Sequence, residues 1–181
     1  MDTIGIGMVG YGMIGRVHSL GYRELPLLYP RQLPTIRLAA VCTSRPETAQ
    51  AAAAEAGFGA WCSDLADLLA RDDVQVVDCV TPNDLHRPTV LAAIAAGKHV
   101  YCEKPLALNG TEARELAAAA ARAGVRVGMT FNYRFVPAVM RAKQLLEDGT
   151  LGEIYSFRAD FLHGGYQDPE RPLSWRMRRE Q

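Results

Sequence analysis

A chain of 181 residues has room for one full domain and part of a second. With 49% hydrophobic and 22% charged residues, its composition is that of an ordinary soluble globular protein. Its 20 basic and 20 acidic side chains cancel, which leaves no net charge to recruit nucleic acid, an anionic membrane or any other strongly charged partner. No apolar stretch approaches the roughly eighteen residues of a bilayer-spanning helix, and no basic region with a long apolar core opens the chain, so the expected location is cytoplasmic.

The first strand is expected over Thr3–Val9, where Ile4, Ile6, Met8 and Val9 lead directly into Gly10-Tyr11-Gly12-Met13-Ile14-Gly15. In a strand-turn-helix of this form the first glycine permits the tight turn and the second lets backbone approach phosphate. The third lets the helix pack on the strand. The free N–H groups at the start of the helix expected over Met13–Leu25 would receive a pyrophosphate. Gly10, Gly12, Met13, Ile14 and Gly15 are therefore candidate cofactor-binding residues.

A second strand over Ile36–Cys42 runs into Cys42-Thr43-Ser44-Arg45 and a helix over Pro46–Ala56. An NAD site ordinarily places Asp or Glu at this turn to bind the ribose 2′-hydroxyl, and no acid stands here. Ser44 and Arg45 instead suit a 2′-phosphate, which favours NADP over NAD. Ser44 and Glu47, three apart with Pro46 between them, also read as a capping box, which leaves Arg45 free.

A helix is expected at Leu65–Ala70, then a strand over Val74–Val80 ending in Thr81-Pro82-Asn83, with His86 three residues on. Asn83 suits a helix N-cap, and His86 taken alone reads as an ordinary surface or core histidine. A helix over Arg87–Ala96 and a strand over His99–Cys102 follow, the latter entering Glu103-Lys104-Pro105. A lysine held at a strand end can hydrogen-bond a substrate oxygen; Glu103 would orient it and Pro105 stiffen the turn, through a cis bond if one forms. A helix at Thr111–Ala123 and a strand at Val125–Met129 complete a series of βα units, with Gly57, Gly97, Gly124 and Gly149 where C-caps belong. Such a series implies an α/β fold with a doubly wound parallel sheet.

After Gly128 the pattern changes. Pro137 opens a helix to Glu147, and Ile154–His163 alternates apolar with polar residues, as a strand with one solvated face does. Residues 1–129 are thus expected to form a Rossmann domain and 130–181 the start of a second α/β domain with an antiparallel sheet. The polar, Arg-rich Arg171–Gln181 adds no strand to it, and an unpaired strand at Ile154–His163 favours self-association. The four cysteines, Cys42, Cys62, Cys79 and Cys102, form no C-x-x-C pair and no metal-like spacing with histidine. They read as reduced thiols, and no metal site is expected.

The ordered set Gly10-x-Gly12-x-x-Gly15, Thr81-Pro82-Asn83-x-x-His86, Glu103-Lys104-Pro105 and Phe131-Asn132-Tyr133-Arg134-Phe135 resembles the Gfo/Idh/MocA oxidoreductases, from Ile4 to Trp175-Arg176. The resemblance implies hydride transfer between NADP (or NAD) and a sugar, cyclitol or related polyol. It places Ser44 and Arg45 at the adenosine ribose. Thr81, Pro82, Asn83 and His86 would line the cofactor cleft, Glu103 and Lys104 would lie near the nicotinamide, and Asn132 would lie at the domain junction, where Arg134 has either a binding or a structural part. Lys104 resembles the family's catalytic lysine. Family members run well beyond this length, form homo-oligomers through their second domain, and carry there an Asp and a His that would follow the Trp-Arg segment. The expectation is therefore the N-terminal portion of such an enzyme. A non-catalytic dinucleotide-binding sensor, or an inactive fragment, is the alternative; retention of Glu103-Lys104-Pro105 argues for the enzyme.

Overall fold

The computed structural model describes residues 3–30, 33–164 and 167–172, so Trp175-Arg176 and most of the polar tail lie outside it. The described residues form two compact units, one up to Thr130 and one from Phe131.

The first unit runs β1 (Thr3–Val9), α1 (Met13–Leu28), β2 (Thr35–Cys42), α2 (Pro46–Ala56), β3 (Ala60–Cys62), α3 (Leu65–Leu69), β4 (Val76–Cys79), α4 (His86–Ala95), β5 (His99–Cys102), α5 (Gly110–Ala123) and β6 (Val127–Met129). The strands form one parallel sheet in the order β3-β2-β1-β4-β5-β6, the doubly wound arrangement that the βα alternation implies. Residues 38–42 of β2 are all buried, because helices cover both faces of the sheet. Alternate residues of β1 serve two cores: Ile6 and Met8 pack with Val41, Ala52 and Phe58, whereas Val9 packs with Val77, Val90, Val100 and Leu116.

Three local expectations need correction. The helix expected to stop at Leu25 continues through Pro26 to Leu28, since proline removes only its own N–H bond and the last turn still closes. The strand β3 was not expected: Ala60-Trp61-Cys62 is too short to show a period, and only pairing with Ala40–Cys42 makes it a strand. The Ser44–Glu47 capping box does not form. Arg45 is the N-cap of α2, and the Oγ1 atoms of Thr43 and Thr48 both donate to its carbonyl, at 3.0 and 2.9 Å. No side chain caps the N–H groups at the start of α2.

Close packing explains one glycine the motif does not. A Cβ on Gly5 would lie 1.8 Å from the backbone oxygen of Asp73. Gly5→Ala is expected to lower stability by about 3 kcal/mol, because neither backbone segment can yield cheaply, and a lower urea midpoint at unchanged slope would show it.

The second unit holds a short turn of 3-10 helix at Asn132–Phe135 and α6 (Pro137–Glu147). Residues 154–163 form no ladder, and Tyr155, Phe157, Phe161 and Leu162 are exposed. The expected strand and second sheet are thus not seen among the described residues. The alternation is present, but a strand needs a neighbour to bond its N–H and C=O groups.

Candidate functional site

The chain lays down β1 to β3 in one direction across the sheet and β4 to β6 in the other. The strand order therefore reverses between β1 and β4, and the turns leaving these strands flank a crevice. Gly10, at the end of β1, has φ +91° and donates its N–H to Cys42 O at 2.8 Å. A Cβ there would stand 2.9 Å from Val80 O, so the two turns touch and only glycine fits. Gly15 is similarly confined, its Cβ position lying 3.2 Å from Gly10 O and 3.3 Å from Met8 Sδ.

Gly12 differs. It is the N-cap of α1 and makes no side-chain bond to the helix, and a Cβ on it would meet nothing within 4 Å. The first turn of α1, Met13 to Gly15 and onward, carries no acidic residue and presents N–H groups without side-chain partners. Open space before uncapped N–H groups at a positive helix end fits a pyrophosphate. At the neighbouring strand end, Ser44 and Arg45 are exposed.

Thr81 and Pro82 continue from β4, and Asn83 begins a short 3-10 turn, all three half-buried. His86 was expected to line the cleft but is fully buried as the first residue of α4. Its Nδ1 lies 2.6 Å from Pro105 O and its Nε2 3.0 Å from Thr81 O. The ring therefore ties the turn after β4 to the turn after β5 and has no free edge for a ligand.

The turn after β5 contains Glu103, Lys104 and a cis Lys104–Pro105 bond. The Lys104 side chain is exposed, while its backbone N–H donates to Glu103 Oε2 at 3.2 Å. Glu103 Oε1 accepts from Thr130 Oγ1 at 2.7 Å and lies 3.4 Å from His18 Nε2. His18 Nδ1 in turn lies 2.9 Å and 3.2 Å from the oxygens of Asp78, to which Tyr22 also donates at 3.0 Å. Asp78 is fully buried in β4.

Burial pulls the His18 imidazole down, but its hydrogen bond to Asp78 and the charges of Asp78 and Glu103 outweigh this, so it titrates above its ordinary value. Protonated His18 therefore stabilises the fold fully below its unfolded value, and this contribution is lost as pH rises through the folded one. Burial, then Asp78, raises the Tyr22 phenol, which stays protonated. His18, Tyr22 and Asp78 were not among the candidate residues. The available signals were an acid inside the apolar run Val74–Val80 and a histidine three residues after Gly15.

Asn132 lies in the second unit, exposed at the start of its 3-10 turn. In the same unit the Arg134 guanidinium sits over the Phe131 ring at 5.2 Å, which gives Arg134 a structural part. The cysteines are all free. Contrary to the spacing argument, Cys79, His86 and Cys102 do cluster, their ligand atoms within 4.8 Å of one another, because Cys79 and Cys102 are register partners on β4 and β5. Both His86 ring nitrogens stand within hydrogen-bond distance of backbone carbonyl oxygens, those of Pro105 and Thr81. The hydrogen bond to Cys79, with burial, holds the Cys102 thiol protonated well above the ordinary range.

Residues 4–131 match the family model described as an oxidoreductase family with an NAD-binding Rossmann fold. Levoglucosan dehydrogenase of Pseudarthrobacter phenanthrenivorans is 38% identical over 180 residues, covering 99% of this chain and 46% of that one. Inositol 2-dehydrogenase of Gluconacetobacter diazotrophicus is 37% identical over 159 residues, covering 87% of this chain and 45% of its own length. The solved complex of a levoglucosan dehydrogenase with NADH and levoglucosan superposes with a TM-score of 0.92 at 38% identity, covering 97% of this chain and 47% of that one. The chain thus spans about half the length of the relatives it matches. Family model, relatives and the glycine turn at the β1–β4 crevice agree, and the chain belongs to the Gfo/Idh/MocA family of NAD-binding oxidoreductases.

Proposed function

We propose that residues 1–129 are the cofactor-binding domain, and 130–181 the start of the substrate domain, of a dehydrogenase acting on a sugar, cyclitol or related polyol. The observation that carries this reading is the exposed Lys104 at the carboxyl end of β5. Its turn is tied by His86 to the turn that abuts Gly10. Gly10, Gly12 and Gly15 shape the phosphate cradle, and the N–H groups of Met13 and Ile14 face the pyrophosphate. Thr81, Pro82 and Asn83 border the nicotinamide end. His86 acts from beneath as a tie. The bound dinucleotide supplies hydride acceptance and donation. Lys104 hydrogen-bonds the substrate oxygen that becomes the carbonyl and stabilises the charge developing on it, while Glu103 fixes the turn that carries it.

The names of the relatives support the substrate class. The NADH in the levoglucosan dehydrogenase complex supports NAD, and the acid-free turn at Ser44-Arg45 supports NADP. Titrating the whole protein with NADH and NADPH by fluorescence, then screening polyols at the nicotinamide absorbance band, tests both points. Binding of either cofactor together with turnover of a polyol is the expected result. Cofactor binding with no turnover on any sugar, cyclitol or polyol would instead identify a dinucleotide sensor.

A further inference from the structure

We propose that His18 is a positioning residue for the reaction, bridging the buried Asp78 to Glu103 and so holding the turn that carries Lys104. This rests on the reading of Lys104 given above. Four parts of the first unit converge on the bridge: Asp78 from β4, His18 from α1, Glu103 from the end of β5 and Thr130 just after β6. The titratable groups facing the imidazole are Asp78 and Glu103, one at each ring nitrogen, with the Tyr101 ring 5.7 Å away and Tyr22 bonded to the far side of Asp78.

The geometry imposes a protonation requirement. Each ring nitrogen faces a carboxylate that can only accept, and an imidazole carries two N–H donors only when protonated. In that state His18 stands as a cation between two carboxylates and attracts both. Neutral His18 keeps one donor, which stays with the nearer Asp78, at 2.9 Å against 3.4 Å for Glu103. Glu103 then faces a bare ring nitrogen across a gap it no longer gains from closing, with Asp78 repelling it from behind. Glu103, then held at Oε1 by Thr130 alone, also accepts the Lys104 backbone N–H, so its looser seat is passed to the reacting lysine. A displacement of this kind changes turnover more than cofactor affinity, since the phosphate cradle at Gly10–Gly15 makes no use of the bridge.

Proton NMR titration of the whole protein tests the bridge, the His18 signal being assigned by its loss in His18→Gln. It should titrate above the free-histidine value of 6.5, fall in Asp78→Asn and fall by less in Glu103→Gln. His18→Gln should lower kcat by about 10- to 100-fold while leaving the NADH dissociation constant within about twofold. It should also abolish any fall in kcat that follows the His18 titration in the wild type. Titration at or below 6.5, indifference to Glu103→Gln, or a wild-type kcat and pH profile in His18→Gln would each overturn the proposal. Glu103→Gln keeps the test open where His18→Gln does not fold. Normal turnover in Lys104→Met would sink the assignment of Lys104 instead, because the NMR coupling of His18 to Glu103 does not depend on what Lys104 does.

Discussion

Replacing Lys104 by methionine in the whole protein is expected to lower kcat by about 10²- to 10⁴-fold, the range for losing a positioned proton-transfer or charge-stabilising group. The methionine matches the unbranched stem of the lysine side chain and lacks the ammonium. The exposed side chain makes no hydrogen bond on which the fold depends, and the turn is held through the Lys104 backbone N–H, which methionine retains. Stability and NADH affinity should therefore stay near wild type, within about twofold for the dissociation constant. Kinetics at saturating cofactor and polyol, with NADH fluorescence titration beside them, separate the two effects. Equal loss of kcat and of kcat/KM would show that the missing contact is made in the transition state; a raised KM alone would assign Lys104 to ground-state binding.

Gly12→Val is expected to weaken NADH binding by at least about 100-fold, or 2.7 kcal/mol, while shifting the melting temperature by no more than about 2 °C. The separation follows from geometry. A Cβ on Gly12 would meet nothing within 4 Å, and its backbone, at φ −83°, is open to any residue. The added methyls would project into the space in front of the uncapped first turn of α1, where a pyrophosphate must approach the backbone. Gly10→Val tests the opposite case: a positive φ and the Val80 carbonyl 2.9 Å away should make that variant lose stability as well as affinity. Intact NADH binding in a folded Gly12→Val protein would remove the phosphate from this position.

The local features of the fold were legible because they depend on near neighbours along the chain. Thr3–Val9, Pro46–Ala56, His99–Cys102 and Pro137–Glu147 stand where apolar runs and Gly or Pro punctuation put them. The glycine turn was equally plain, since its three glycines answer to a tight turn, an open approach and a close packing within six residues. The shape of that turn was therefore readable without a structure.

Whatever depends on residues far apart in sequence was decided by tertiary structure. His18 and Asp78 are 60 positions apart, and only the laying of α1 over β4 brings an imidazole to a buried carboxylate. His86, a cleft residue by the family resemblance, packs inward between two carbonyls because the turn after β5 folds over it. Cys79 and Cys102 became neighbours because β4 pairs with β5, and Ala60–Cys62 became a strand because β2 offered it an edge. Ile154–His163 shows the converse: its strand-like alternation forms no ladder among the described residues, because a strand needs a neighbour. Sequence by itself determined which segments can be helix or strand and where the glycine turn stands, because periodicity and glycine sterics act locally. The packing of α1 and the adjacency of the strands decided which polar groups meet behind Lys104, because hydrogen bonds and charges act only between groups that the chain has already brought within a few ångströms.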